Sequence, residues 1–202
     1  HGYGPHQALS WIQSGRVEKI LSGCQSVPLT AYLVTARFHI PRVVGKIFWD
    51  KVGPWYEFRD GQITRLGSFA NQKEYLLGVK LPSSLQYQLT KSSIVSFVRK
   101  LGLKKDTEIY LGIIQKTQSD FLKRFPKAHF KIIFWPTLAD QSSDKDNALK
   151  AELRSLNVDV LDVEEMIPDL RSHPHLYQLA DTHPNAAANR KIAQFLASLR
   201  DK

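Results

Sequence analysis

The chain has 202 residues, of which 43% are hydrophobic and 23% are charged. This composition is typical of a folded domain and excludes a wholly disordered chain, and no apolar run approaches the length of a membrane span. A single cysteine, Cys24, excludes an internal disulfide framework and a zinc site built from several cysteines. We therefore predict one soluble domain over residues 1–202 without a transmembrane segment. No secretory leader opens the chain, but a leader can be removed, so the compartment stays open, export included.

The 28 basic and 19 acidic residues give a net charge of +9. Such a balance fits nucleic acid, acidic lipid headgroups or simple solubility. The basic residues are scattered, with their densest group at residues 99–105, and no helix-turn-helix, zinc-finger or RNA-binding pattern is present. We therefore expect no nucleic-acid partner.

The first half of the chain begins with a predicted helix over Gln7–Leu21, followed by a buried strand over Leu29–Ala36. An aromatic-rich insertion follows at about residues 41–80, and it either shapes a pocket or covers an edge of the domain. Within it, Trp55–Phe58 and Gln62–Leu66 flank Asp60-Gly61, a pair typical of a two-residue hairpin turn.

The second half alternates helices and strands, which predicts an α/β domain with a parallel sheet. The predicted helices span Ser83–Leu101, Asp106 to about Phe125, Asp144–Leu156, Glu164–Leu170 and Asn185–Leu199, and the predicted strands span Lys131–Trp135 and Val158–Val163.

Chemistry is most clearly indicated at Asp181-Thr182-His183, on a loop just before the last predicted helix. An acid beside a histidine suits a base that takes a proton from a hydroxyl nucleophile while the carboxylate stabilises the imidazolium. The alternative is that Asp181 or Thr182 caps the helix and His183 is an ordinary loop histidine.

Two motifs resemble the SGNH/GDSL hydrolase family. The segment from Asp181 to Asn189, with Ile192-Ala193, is similar to its C-terminal Asp/His block, and Gly2-Tyr3-Gly4-Pro5-His6-Gln7 is similar to its second block. The resemblance implies a flavodoxin-like three-layer α/β/α fold. It also implies His183 as general base, Asp181 as the acid that orients it, and the Gly2 N–H as an oxyanion donor.

The chain departs from the family pattern at three points. The Gly-Asp-Ser nucleophile block and its strand are absent, and Ser68 follows a Gly in the wrong place. The Gly-x-Asn-Asp block is also absent, and the segment in its position offers His39 or Arg42 as an oxyanion donor, or as groups that merely pack and pair. The family acid lies three residues before the histidine, where this chain has Ala180, so Asp181 is the nearest carboxylate.

The absent first strand would be central in such a sheet and would leave unpaired backbone groups. The chain is then a fragment of a longer protein, or an upstream segment was cleaved and remains associated. Otherwise the strands pair differently and there is no hydrolase site.

The first functional hypothesis is a serine ester hydrolase that acts on a lipid, carbohydrate or small acyl ester and needs no cofactor. Its serine would lie on a segment outside this chain. An acyltransferase would use the same catalytic groups. The rival is a non-catalytic domain of this fold that binds an anionic polymer or a protein partner. His173 and His175, with His183, Asp169 and Asp181, also suggest a weak metal-site pattern, which we do not adopt because the family resemblance accounts for His183 without a metal.

Overall fold

A computed structural model describes residues 4–24, 28–47, 50, 52–71, 93–138, 143–179 and 183–199. The chain divides into two compact units: unit 1 comprises residues 1–27 and 38–126, and unit 2 comprises residues 28–37 and 127–202. The prediction of a single domain over residues 1–202 stays a prediction.

Unit 2 contains a three-stranded parallel sheet of β1 (Thr30–Thr35), β4 (His129–Phe134) and β5 (Asp159–Asp162). The strand order is β1-β4-β5, with Thr30 opposite His129 and Lys131 opposite Asp159. The runs are short and rich in β-branched and aromatic residues, which fit a pleated, buried surface. The prediction of an α/β fold with a parallel sheet is therefore confirmed.

Helices cover both faces of this sheet. They are α5 (Ser143–Ser155), α6 (Val163–Met166) and α7 (Ala186–Ser198), and each overlaps a helix predicted from the sequence, although α6 ends four residues before the predicted Leu170. Ile133 and Leu161 belong to a core cluster shared with α7 residues such as Ala188 and Ile192. Phe134 points to the opposite face, since side chains alternate along a strand, and its ring contacts the Lys150 ammonium of α5. Unit 2 is thus compatible with a three-layer α/β/α arrangement.

Unit 1 is built around one long helix, α4 (Ser93–Arg124), which packs against α1 (Pro5–Gln13), α3 (Ile40–Val43) and a hairpin of β2 (Pro54–Arg59) and β3 (Gln62–Ser68). The hairpin prediction is confirmed. Asp60 and Gly61 both have positive φ, 50° and 74°, as the two central residues of this tight turn require.

Two helix predictions were wrong about where a helix is interrupted. The predicted Gln7–Leu21 helix is broken at Gly15, whose φ of 73° is left-handed, and a short α2 (Arg16–Ile20) follows. Conversely, Asp106 does not cap a new helix, because α4 runs through it and its carboxylate accepts a hydrogen bond from Lys46. The predicted helix start at Ser83 lies outside the described residues. No helix in the described ranges is both long and apolar enough to cross a membrane.

Candidate functional site

The His183 loop is held by backbone hydrogen bonds in unit 2. The Leu179 N–H donates to the His183 carbonyl at 2.9 Å, and Gln178 and Pro184 form an isolated antiparallel bridge. The His183 side chain is exposed. A base that must reach a nucleophile and a substrate needs such access, and the paired backbone limits how far the loop can move.

The N-cap of α7 is Asn185. Its side-chain oxygen accepts from the N–H groups of Ala187 and Ala188 at 2.9 and 3.1 Å, so these two N–H groups of the first turn have a partner. Asp181 and Thr182 lie outside the described residues, so the role of Asp181 as the acid, and the alternative role of either residue at the start of the helix, stay predictions.

His39 and Arg42, the two candidate oxyanion donors, lie on one short helical segment of unit 1 together with Phe38. The Arg42 guanidinium lies 4.9 Å from the Phe38 ring centroid, and the His39 ring meets the same phenyl edge-on at 4.7 Å. Burial, with the nearby Arg42 cation and His6, lowers the pKa of His39 to about 3. His39 is therefore a neutral imidazole near pH 7, which can still donate one hydrogen bond. Gly2, the third candidate, lies outside the described residues.

A buried polar cluster that the sequence did not predict lies in the same unit. The Asp50 Oδ2 atom accepts from His6 Nε2 at 2.9 Å and from Gln7 Nε2 at 2.8 Å. His6 is 0% exposed, its Nδ1 atom has no hydrogen-bond partner among the described residues, and burial lowers its pKa. The pairing of His6 and Asp50 spans 44 residues and carries no spacing signal that a sequence could show.

A second missed network lies at the carboxyl ends of the three parallel strands of unit 2. Asp146 on α5 is 0% exposed, and it accepts from Arg37 Nε at 2.9 Å and from the Thr137 N–H at 2.7 Å. Arg171 Nη2 lies 3.6 Å from the same carboxylate and also binds Glu164. One carboxylate thus joins the segments that follow β1, β4 and β5. In open α/β sheets this edge is where ligands bind.

Among the described residues, the outer edge of β1 has no paired strand. The His129 N–H donates to the Leu29 carbonyl at 2.8 Å, and the Trp135 N–H donates to the Thr35 carbonyl at 2.8 Å. Leu29, Thr35 and every second residue between them therefore direct their backbone groups toward β4. The backbone groups of Thr30, Tyr32 and Val34 consequently face away from β4, and within the described residues no other strand lies beside them. Val34 is 53% exposed, which is unusual for an apolar residue of a parallel sheet.

No candidate metal centre is formed by the described residues, where no three His, Cys, Asp or Glu side chains converge. The His173 and His175 ring centroids are 6.2 Å apart, and Asp169 accepts from the Tyr177 hydroxyl at 2.7 Å. That hydrogen bond holds the pKa of Asp169 below its ordinary value.

No family model, curated protein or solved structure matches the chain. The SGNH/GDSL resemblance therefore rests on the two motifs alone.

The depressed pKa of His39 makes the stability of unit 1 depend on pH. The unfolded chain protonates His39 near the ordinary pKa of 6.5, whereas the folded protein resists protonation down to about 3. The unfolded state therefore binds more protons between these values, and stability falls as pH falls through that window. At pH 5 we expect His39 alone to cost about 2 kcal/mol relative to pH 7.5.

Amide exchange of buried α4 residues, compared at pH 7.5 and pH 5 after correction for the intrinsic exchange rates, measures this loss. His39→Gln cannot titrate and should show a smaller loss than the parent, whereas His129→Gln, at an exposed histidine of unit 2, should not change it. Equal losses in the parent and in His39→Gln would contradict the assignment.

Proposed function

We propose that this chain supplies the histidine base and the oxyanion donors of a serine ester hydrolase of the SGNH/GDSL type, whose serine lies on a segment outside these residues. The observation that carries the proposal is the open edge of β1, since a nucleophile-bearing parallel strand would pair there. Thr30, Tyr32 and Val34 offer it a row of backbone donors and acceptors. Because β1 carries no charge, proline or glycine, its sequence has none of the residues that commonly prevent another strand from pairing at an exposed edge.

In the proposed reaction, His183 removes the proton from the serine hydroxyl as the serine oxygen bonds to the ester carbonyl carbon. The carbonyl oxygen becomes an oxyanion, and the protonated His183 then gives its proton to the departing alkoxide. Water repeats the sequence on the acyl-enzyme and releases the carboxylic acid and the free serine. Asp181 would hold the imidazole in the tautomer that this exchange requires.

The oxyanion would be stabilised by the Gly2 N–H, with His39 or Arg42 as a second donor. The low pKa of His39 supports a neutral donor, which can hydrogen-bond an oxyanion without exchanging its proton at neutral pH. Arg42 would contribute a positive charge, although burial lowers its pKa from the usual value. The substrate class is a carboxylic ester, either lipid, carbohydrate or small acyl.

The second candidate function is a non-catalytic domain that binds an anionic polymer or a protein partner. The same open β1 edge favours it, because an edge strand can pair with an extended segment of a partner. The two functions differ in whether an activated serine exists.

A fluorophosphonate probe tests for that serine. We expect the complete gene product to take one probe molecule, and peptide mapping should place it on a serine upstream of Gly2. The 202-residue chain alone should keep its unmodified mass. Absence of an adduct on the complete product would overturn the proposal and favour the binding domain. An adduct on a serine within these residues, such as Ser68, would also overturn the proposal, because the nucleophile would then not lie on an upstream segment.

A further inference from the structure

The first turn of α1 is tied to Asp50 by two side chains that emerge next to each other. His6 and Gln7 both donate to the Oδ2 atom of Asp50, at 2.9 and 2.8 Å, while the amide oxygen of Gln7 accepts the Gly4 N–H at 2.6 Å. A continuous path of hydrogen bonds thus runs from the Asp50 carboxylate through Gln7 to the backbone of Gly4. The chain enters α1 through Gly4, two residues after the proposed oxyanion donor Gly2.

The other side of the carboxylate is equally confined. A β-carbon at Gly53 would lie 2.5 Å from the Asp50 Oδ1 atom, so any larger residue there would force the carboxylate to move. Gly53 is itself fixed, because its N–H donates to the Asp50 carbonyl at 3.3 Å and its carbonyl accepts from the Phe69 N–H at 2.9 Å. Asp50 therefore has little freedom to move away from His6 and Gln7.

The chemistry of this pairing also fixes the state of His6. An ionised carboxylate can only accept, so the proton on the His6 ring is at Nε2, and Nδ1 carries a lone pair. Burial keeps the pKa of His6 below its ordinary value despite the carboxylate. His6 is thus an uncharged hydrogen-bond donor with a structural role. Because it is fully buried, it does not contact a substrate.

We propose that Asp50 is a positioning residue for the start of α1: through His6 and Gln7 it holds Gly4, which is two residues along the sequence from the proposed oxyanion donor Gly2. The catalytic role of Asp50 rests on the proposed function. The hydrogen bonds that join Asp50 to His6, Gln7 and Gly4, which we call the Asp50 latch, are contacts within unit 1 and do not depend on it. Preorganised donors lower the barrier because they need not be reoriented as the oxyanion forms. Loosening Gly4 would therefore affect the transition state more than the binding of the ester.

Asp50→Ala removes the acceptor of both donors, and we expect the Gly4 amide to exchange at least about tenfold faster with solvent. Asp50→Asn keeps one acceptor oxygen and should show a smaller increase. If Asp50→Ala does not fold, Gly53→Ala displaces the carboxylate without replacing it and should act in the same direction.

The matched control is Asp120→Ala. Asp120 accepts from Gln13 at the opposite end of α1 at 3.3 Å, so its loss also removes a carboxylate from a glutamine of this helix. Gly4 exchange should then stay at the parent rate. Unchanged Gly4 exchange in both Asp50→Ala and Gly53→Ala, with unit 1 folded, would overturn the latch.

Ester turnover by the complete gene product separates this inference from the proposed function. Asp50→Asn should lower kcat at nearly constant KM, whereas a merely structural defect would lower the amount of active protein, as active-site titration with the fluorophosphonate probe would report. Faster Gly4 exchange with unchanged kcat would overturn the positioning role and keep the latch. Absence of turnover in the parent would instead refute the proposed function.

Discussion

His183→Ala should lower the turnover of a short-chain aryl ester by about 1,000-fold or more in the complete gene product. Alanine cannot accept the serine proton or return it to the leaving alkoxide, so both halves of the reaction lose their proton carrier. We expect the fold to persist, because the His183 side chain is exposed and alanine retains the backbone carbonyl that accepts the Leu179 N–H. Initial rates against ester concentration, with circular dichroism on the same samples, measure both effects.

His129→Ala is the control for this experiment. His129 is also exposed and also belongs to unit 2, but it begins β4 and so lies at the amino end of the strands, away from the edge where α/β sheets bind ligands. Its turnover should equal that of the parent. Retained activity in His183→Ala would show that this histidine is not the base. The C-terminal motif would then no longer support the family resemblance.

The second large effect concerns stability. Asp146→Ala removes the carboxylate that faces the guanidinium groups of Arg37 and Arg171 and accepts the Thr137 N–H. Because Asp146 is fully buried, water does not readily replace the lost acceptor. We expect a loss of about 3–5 kcal/mol in the free energy of unfolding of unit 2. Amide exchange of the β4 residues Ile132 and Ile133 reports this free energy for unit 2 separately.

A matched variant distinguishes burial from charge. Asp159 also forms an ion pair, with Lys131 at 2.7 Å, but its side chain is 52% exposed. Asp159→Ala should therefore cost only about 0–1 kcal/mol. If the two variants were equally destabilised, the Asp146 network would be no more than an ordinary surface ion pair, and the three strand ends would not depend on it.

Most of the secondary structure could be predicted from local sequence patterns. Asn185 before an alanine-rich run, β-branched runs such as Lys131–Trp135, and Asp60-Gly61 between aromatic strands each encode their own element within a few residues. The errors arose where a local signal competed with its surroundings. Asp106 can cap a helix, but its carboxylate bonds Lys46, sixty residues away in sequence, and the helix continues past it.

The site was less accessible to sequence reasoning for a related reason. His183 and Asp181 lie in one motif, and His183 has the exposure that a base needs. The pairs His6 with Asp50 and Arg37 with Asp146 bring together residues 44 and 109 positions apart, and one sequence contains no record of such pairing. The same holds for the state of His39, whose low pKa depends first on burial, which is a property of the folded unit and not of the adjacent residues.

The register of the parallel sheet has a consequence for the order in which the chain folds. Thr30 pairs with His129, so β1 leaves the ribosome almost a hundred residues before its partner strand exists. At ordinary synthesis rates this interval is about 5–20 seconds. During that time β1 lacks the one strand beside which it lies in the described part of the chain, whereas the Asp60-Gly61 hairpin can close at once. Nascent β1 is therefore an uncharged strand that stays exposed to other chains until β4 has been synthesised, unless a segment upstream pairs with it first.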